Sequence, residues 1–206
     1  MNRPAGIANA APDVVRRLLD GAIDYAGLFP PAALGMDAAV ENYLAYRASG
    51  QASMLGRFVA PAARLDELAT VVEKRGARDF GVSAVLGASL AADIDAVKAF
   101  NARLAAYSVT IDSLEAKADR PGAIYELASR ATPGFEAFAE LPLGGELELL
   151  VSAVREAGIR AKVRTGGLTN DMFPSSGDVV RFIRACIDAH VPFKATAGLH
   201  HAITGT

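Results

Sequence analysis

Late in the 206-residue chain, two short segments each carry a lysine followed closely by threonine and glycine. They are Lys162-Val163-Arg164-Thr165-Gly166-Gly167 and Lys194-Ala195-Thr196-Ala197-Gly198. Read as strands, in which residues two apart share a face, Arg160, Lys162 and Arg164 stand opposite Ala161 and Val163. Lys194 and Thr196 likewise stand opposite Phe193 and Ala195. Glu136, Phe138 and Glu140 share a face opposite Ala137, Ala139 and Leu141, Arg57 lies with Leu55 and Val59, and Asp112 ends another strand. Charges gathered on one face cannot be buried unpaired at tolerable cost; they need each other, a ligand or water. Lys162, Lys194, Glu140 and Asp112 are the candidate catalytic residues, the two carboxylates being able to move a proton directly or through water. Arg57, Arg164, Thr165, Gly166, Thr196, Gly198 and His200 are the candidate substrate contacts. A guanidinium clamps carboxylate or phosphate, and glycine lets backbone N–H groups approach an anion.

Several of these residues have a second reading. Arg160 and Glu136 suit solvated charges at the opposite rim. Arg57 and Glu140 could form a structural ion pair instead of contacting substrate. His190 sits near a helix end, where a cation suits the dipole. Of the adjacent His200 and His201, only one can face the same way as Lys194 in an extended segment, and their spacing is not that of a metal motif. No metal or other cofactor is expected. Cys186, the single cysteine, lies in a helical run with no base at helical spacing and reads as an inert buried thiol.

The elements that must position these residues alternate between two periods. Helical stripes run through Val40, Tyr43 and Leu44; Leu65, Leu68 and Val72; Leu90, Ile94 and Val97; Ile124 and Leu127; Leu147, Leu150, Val151 and Val154; and Val179, Val180, Ile183 and Ile187. Ser175 with Asp178 reads as a capping pair, Pro61 and Pro121 suit first turns, and Gly76 and Gly158 suit helix ends. Between them lie strands at Ala22–Gly27, Met54–Ala60, Phe80–Leu86, Tyr107–Asp112, Phe135–Leu141, Arg160–Thr165 and Pro192–Thr196. Their centres are about 25–30 residues apart, the size of a strand–helix–strand unit, which implies parallel strands with right-handed crossovers. An open doubly wound sheet would show a Gly-rich first turn and apolar residues on both strand faces. The first turn here, AGLFPPAALG, has two prolines and no GxGxxG. It stiffens the path into the helix of Val40 and places Tyr25, Phe29 and Pro30 near the strand ends, as a rigid connection or a pocket wall. The fold expected is a single α/β domain over residues 1–206, a TIM-type (β/α) barrel with about seven strand–helix units and the eighth missing or truncated. Charged side chains point into its mouth.

A net charge of -2 offers no basic field for nucleic acid. No apolar run approaches a membrane span, and the N-terminus lacks an apolar signal core. With one cysteine, the cytoplasm is the expected setting. The expected partner is a small anionic metabolite, without nucleic acid or membrane, and a homo-oligomer is possible.

The two lysine segments resemble the late strands of deoxyribose-phosphate aldolases, class I aldolases on an (α/β)₈ barrel. Their sixth strand carries Lys-Thr-Ser-Thr-Gly and their seventh Lys-Ala followed by small residues and Gly. The resemblance covers about two strands and departs at Arg164, where the family has a small residue. It implies that Lys162 forms a Schiff base and that Lys194 is the neighbouring cation lowering its pKa. The activity it implies is a lyase acting on a small anionic carbonyl compound, a sugar phosphate or an oxo-acid. A non-covalent barrel isomerase, a metal-assisted hydrolase and a non-enzymatic binding protein are the alternatives. The whole chain, with YAGLFPPAAL early and FKATAGLHH late, is also similar to a bacterial protein family to which that likeness attaches no activity.

Overall fold

The structure is a computed structural model that describes residues 10–50, 52–131 and 133–197. Gly198, His200 and His201 lie outside the described residues. Seven strands run in chain order through one sheet: β1 (Ile23–Tyr25), β2 (Leu55–Pro61), β3 (Phe80–Val85), β4 (Val109–Lys117), β5 (Glu136–Glu140), β6 (Arg160–Arg164) and β7 (Phe193–Thr196). Each neighbouring pair is parallel. Helix α1 (Ala10–Leu19) precedes the sheet. Helices α2 (Met36–Arg47), α3 (Leu65–Arg75), α4 (Leu90–Arg103), α5 (Pro121–Arg130), α6 (Leu147–Glu156) and α7 (Ser176–Asp188) connect successive strands, as parallel pairing requires. The sheet is curled into a half-barrel. Asp24 of β1 lies 3.1 Å from the Nζ of Lys194 on β7, so the first and last strands meet through side chains across the interior.

The outer strand face carries the apolar residues. Phe58, Ala60, Val82, Ala84, Ile111, Leu114, Ala137, Ala139, Ala161 and Val163 are buried in the main core. They meet the helical stripes of Val40 and Tyr43, Leu68 and Val72, Ile94 and Val97, Ile124 and Leu127, and Leu150 and Val154. Pro121 opens α5, Gly76 closes α3 in the left-handed conformation, and the Ser175 hydroxyl accepts the Asp178 amide at the start of α7.

Three sequence expectations need correction. In α7 the fully buried residues are Phe182 and Cys186, whereas Val180 and Ile187 are exposed. The stripe is rotated because the aromatic ring of Phe182 takes the core and stacks edge-on against Phe193. Tyr25 does not reach the mouth. It packs on the helix side against Tyr43, Tyr46 and Phe58, so the early proline loop is a connection into α2. The fourth strand does not end at Asp112 but continues to Lys117. That strand also contains a β-bulge, which the sequence does not mark. Val82 pairs with Ile111, but the next residue, Ser83, pairs with Ser113. Asp112 is the extra residue, so it and Ser113 both face the interior and the alternation changes phase beyond them. Leu114 and Ala116 therefore face the helices, and Glu115 faces inward.

Phe58 is fully buried, with its ring centroid 5.7 Å from that of Tyr25 and 5.5 Å from that of Tyr43. Phe58→Ala should remove about 3–5 kcal/mol of unfolding free energy. The check is a lower urea midpoint at unchanged slope; a loss below about 1 kcal/mol would mean that this cluster does not hold β1 and β2 to α2.

Candidate active site

The inward charges form two layers. The lower one lies toward the N-terminal ends of the strands. Arg57 of β2 places its Nε 2.6 Å from Asp112 Oδ1 of β4 and its Nη2 3.0 Å from Glu136 Oε2 of β5. Glu136 also binds Arg160 of β6 at 2.6 Å. Arg57 thus pairs with Asp112 and Glu136, not with Glu140, because Glu140 stands four residues further along β5. The structure accordingly keeps Asp112 away from Lys162. Arg160 and Glu136 remain half-exposed, and they are paired with each other.

The upper layer is more deeply buried. Lys162 Nζ lies 2.6 Å from Glu115 Oε2 and 2.8 Å from Glu140 Oε2. Lys194 Nζ lies 2.7 Å from Glu115 Oε1 and 3.1 Å from Asp24 Oδ2. One carboxylate therefore bridges two ammonium groups on neighbouring strands, where Lys162 and Lys194 stand side by side in register. Ser83 donates its hydroxyl to Glu115 Oε1 at 2.6 Å, and it lies 2.9 Å from the hydroxyl of Ser113. Asp24 accepts the backbone N–H of Arg57. Gly56 is needed beneath it, since a Cβ there would fall 2.5 Å from Asp24 Oδ1. Phe138 stands between the layers, with the Lys194 ammonium 4.2 Å from its ring centroid and the Arg160 guanidinium 5.8 Å. Among the described residues no buried side-chain nitrogen or oxygen lacks a hydrogen-bond partner.

Sequence alternation brings Lys162, Lys194 and Glu140 to one interior, and the structure places them there. It missed Glu115, whose direction depends on the bulge, and Ser83 and Ser113, which carry no charge to mark them. Asp24 joins the site only through the curvature of the sheet, which brings β1 to Lys194 on β7. Thr165 and Thr196 are engaged along the β6–β7 edge, where the Thr165 hydroxyl donates to Ala197 O and the Thr196 hydroxyl lies 3.5 Å from Val163 O. Gly166 accepts the Nε–H of Arg164 through its carbonyl at 2.8 Å. Arg164 itself is exposed at the mouth, where with Lys117 and Glu140 it lines a cleft of about 680 Å³.

No family model, curated protein or solved structure matches this chain. The chemistry therefore rests on the residues themselves. Burial works against ionisation of Glu115, but Lys162 and Lys194 outweigh it and hold the carboxyl at about 2. Burial also disfavours the Lys162 ammonium, and Glu115 and Glu140 outweigh it, so the amine's pKa is raised rather than lowered. Lys194 does not act on Lys162 directly, because Glu115 lies between the two. In the resting site Lys162 is an ammonium held by two proton acceptors. Burial pushes the Cys186 thiol up to about 11, as an inert core cysteine requires. No three of the described His, Cys, Asp and Glu residues gather into a metal-holding group.

The depressed pKa of Glu115 fixes a pH dependence. Its contribution to stability is complete above the ordinary carboxylate range and is lost as pH falls from there toward about 2. The urea midpoint should drop over that window, and Glu115→Gln should flatten the drop. Glu115→Ala, which leaves two buried ammonium groups facing each other, should cost about 3–5 kcal/mol near neutral pH. A Glu115→Gln variant with an unchanged acid profile would mean that Glu115 is not the titrating group.

Proposed function

We propose that this chain is an aldolase-type lyase in which Lys162 forms an imine with a small anionic carbonyl compound. The observation that carries the reading is the convergence of the Lys162 and Lys194 amino groups on Glu115, with Glu140 joining Lys162 to the mouth cleft. In this reading the frame is a TIM-type barrel and the site occupies the C-terminal ends of its strands. The partner is a small metabolite, in a cytoplasmic setting and with self-association possible.

The Lys162 ammonium has an acceptor on either side, and Glu140 is the one that reaches the cleft. Transfer of one proton to Glu140 frees the amine. The amine adds to the carbonyl carbon, and Glu140 returns its proton to the departing hydroxyl, so that loss of water leaves a protonated imine. That cation draws the electron pair of the adjacent carbon–carbon bond as it breaks. A carboxylate, Glu140 or Glu115, takes the proton from the hydroxyl of the departing fragment. The carboxyl then gives that proton to the carbon of the resulting enamine, and hydrolysis of the imine so formed returns Lys162. Lys194 and Asp24 keep Glu115 in place throughout.

Borohydride reduction in the presence of a panel of small oxo-acids and sugar phosphates tests this. The expected result is a reduced adduct on Lys162, located by peptide mass spectrometry and absent from Lys162→Met. A bound carbonyl compound that leaves Lys162 unlabelled would overturn it. The raised pKa of Lys162 favours a second reading, a non-covalent barrel isomerase in which the ammonium binds the substrate oxygen and Glu140 moves the proton. Lys162→Arg separates the two: it should abolish imine chemistry, yet keep part of a non-covalent activity.

A further inference from the structure

The mouth cleft is lined by charged and apolar residues, and its carboxylates, Asp119, Glu140 and Asp178, meet Arg120, Lys162 and Ser175 respectively. Its cations are Lys117 and Arg164. Both are exposed, and among the described residues neither pairs with a carboxylate. The bond from Arg164 Nε to Gly166 O aims the guanidinium while leaving its terminal N–H groups for another acceptor. Its apolar residues include Leu143, Met172, Phe173 and Pro174. Met172 and Phe173 are 41% and 51% exposed, which is high for large apolar side chains gathered at one cavity. The apolar group is also held in place. Met172 lies directly on Gly167, where a Cβ would fall 2.2 Å from its sulfur, so the β6–α7 loop packs down at that point.

The cleft also reaches the start of α7. This would be the natural cradle for a phosphate group. Here it is filled by the chain itself. The Ser175 hydroxyl accepts the Asp178 N–H at 3.1 Å and lies 2.6 Å from Asp178 Oδ2, which puts a carboxylate where a phosphate would sit.

We infer that this cleft is a subsite for an oxo-acid with an apolar tail, the carboxylate on Arg164 and Lys117 and the tail against Met172 and Phe173. The carbonyl would then lie toward Glu140 and Lys162. The inference rests on the proposed carbonyl chemistry at Lys162 and names its substrate class: a monoanion with an alkyl or aryl chain, not a polyhydroxylated sugar phosphate.

Calorimetric titration of the full chain with phenylpyruvate, pyruvate and dihydroxyacetone phosphate tests it. Phenylpyruvate should bind most tightly. Arg164→Gln should weaken both oxo-acids by about tenfold or more, the loss of a charge-assisted pair. Phe173→Ser should weaken phenylpyruvate by about fivefold and leave pyruvate within about twofold, because only the tail meets the ring. Both residues are exposed, so neither change removes a core contact. Tighter binding of dihydroxyacetone phosphate, no binding of phenylpyruvate, or variants that leave its affinity unchanged would each overturn the inference. Binding is read here without chemistry. Phenylpyruvate bound but never trapped on Lys162 would count against the imine alone. Trapping with dihydroxyacetone phosphate but not with phenylpyruvate would count against the subsite alone.

Discussion

The bridge from Lys162 through Glu115 to Lys194 is the interaction on which the interior depends. Two ammonium groups on adjacent strands would repel each other in a space nearly closed to water. Glu115, with 2% of its side chain exposed, separates and neutralises them, one oxygen for each. Glu140 and Asp24 take the remaining faces of the two lysines. The same network brings β1 to β7, since Lys194 holds Asp24 with one hydrogen bond and Glu115 with another. Curvature of the sheet and charge balance at the site are thus one construction.

That construction depends on a single extra residue. Without the bulge at Asp112, strict alternation would point Glu115 at the helix layer and Leu114 into the charged interior. With it, Asp112 serves the lower layer through Arg57, and Glu115 serves the upper one. Ser83 and Ser113, both fully buried, suit this arrangement because small side chains leave room for the Glu115 carboxylate; the Ser83 hydroxyl donates to it and lies within hydrogen-bond distance of that of Ser113. The two layers also differ in exposure. The lower is made of half-exposed guanidinium–carboxylate pairs, which act as a screened rim. The upper is dry enough for its charges to govern one another's protonation.

Much of this was legible in the sequence, for a definite reason. Segments such as Arg160–Arg164 alternate charge with alanine or valine, and period two assigns those faces without any tertiary knowledge. The repeated strand–helix spacing gave the parallel order in the same way. What stayed hidden depends on how strands register against one another. Asp112 looked like a strand end because a polar, charge-bearing stretch follows it, whereas β4 runs through that stretch to Lys117. Arg57 appeared free to meet Glu140, but the stagger of the strands sets it level with Glu136. The buried face of α7 was misassigned because two apolar stripes, one through Ile187 and one through Phe182, compete on that helix. Only packing against Phe193 selects between them.

A buried ion network is a weak way to stabilise a core, since apolar residues of similar volume often do as well or better. The outer face of this sheet is filled with such residues, and the inner face has strands of the same length and twist. Stability alone therefore gives little reason for the inner face to hold two lysines and three carboxylates in its upper layer. Their arrangement has features that a purely structural network does not need. One lysine is clasped by a carboxylate that reaches the cleft, while the other is tied back to β1. The first is joined to the cleft through Glu140; the second is held by both Glu115 and Asp24. Removing the proton from Lys162 leaves Glu115 still neutralised by Lys194, so the site can lose one positive charge without leaving that carboxylate unpaired. That asymmetry between the lysines, more than their number, is why the proposed reading puts the imine on Lys162 and gives Lys194 a positioning role.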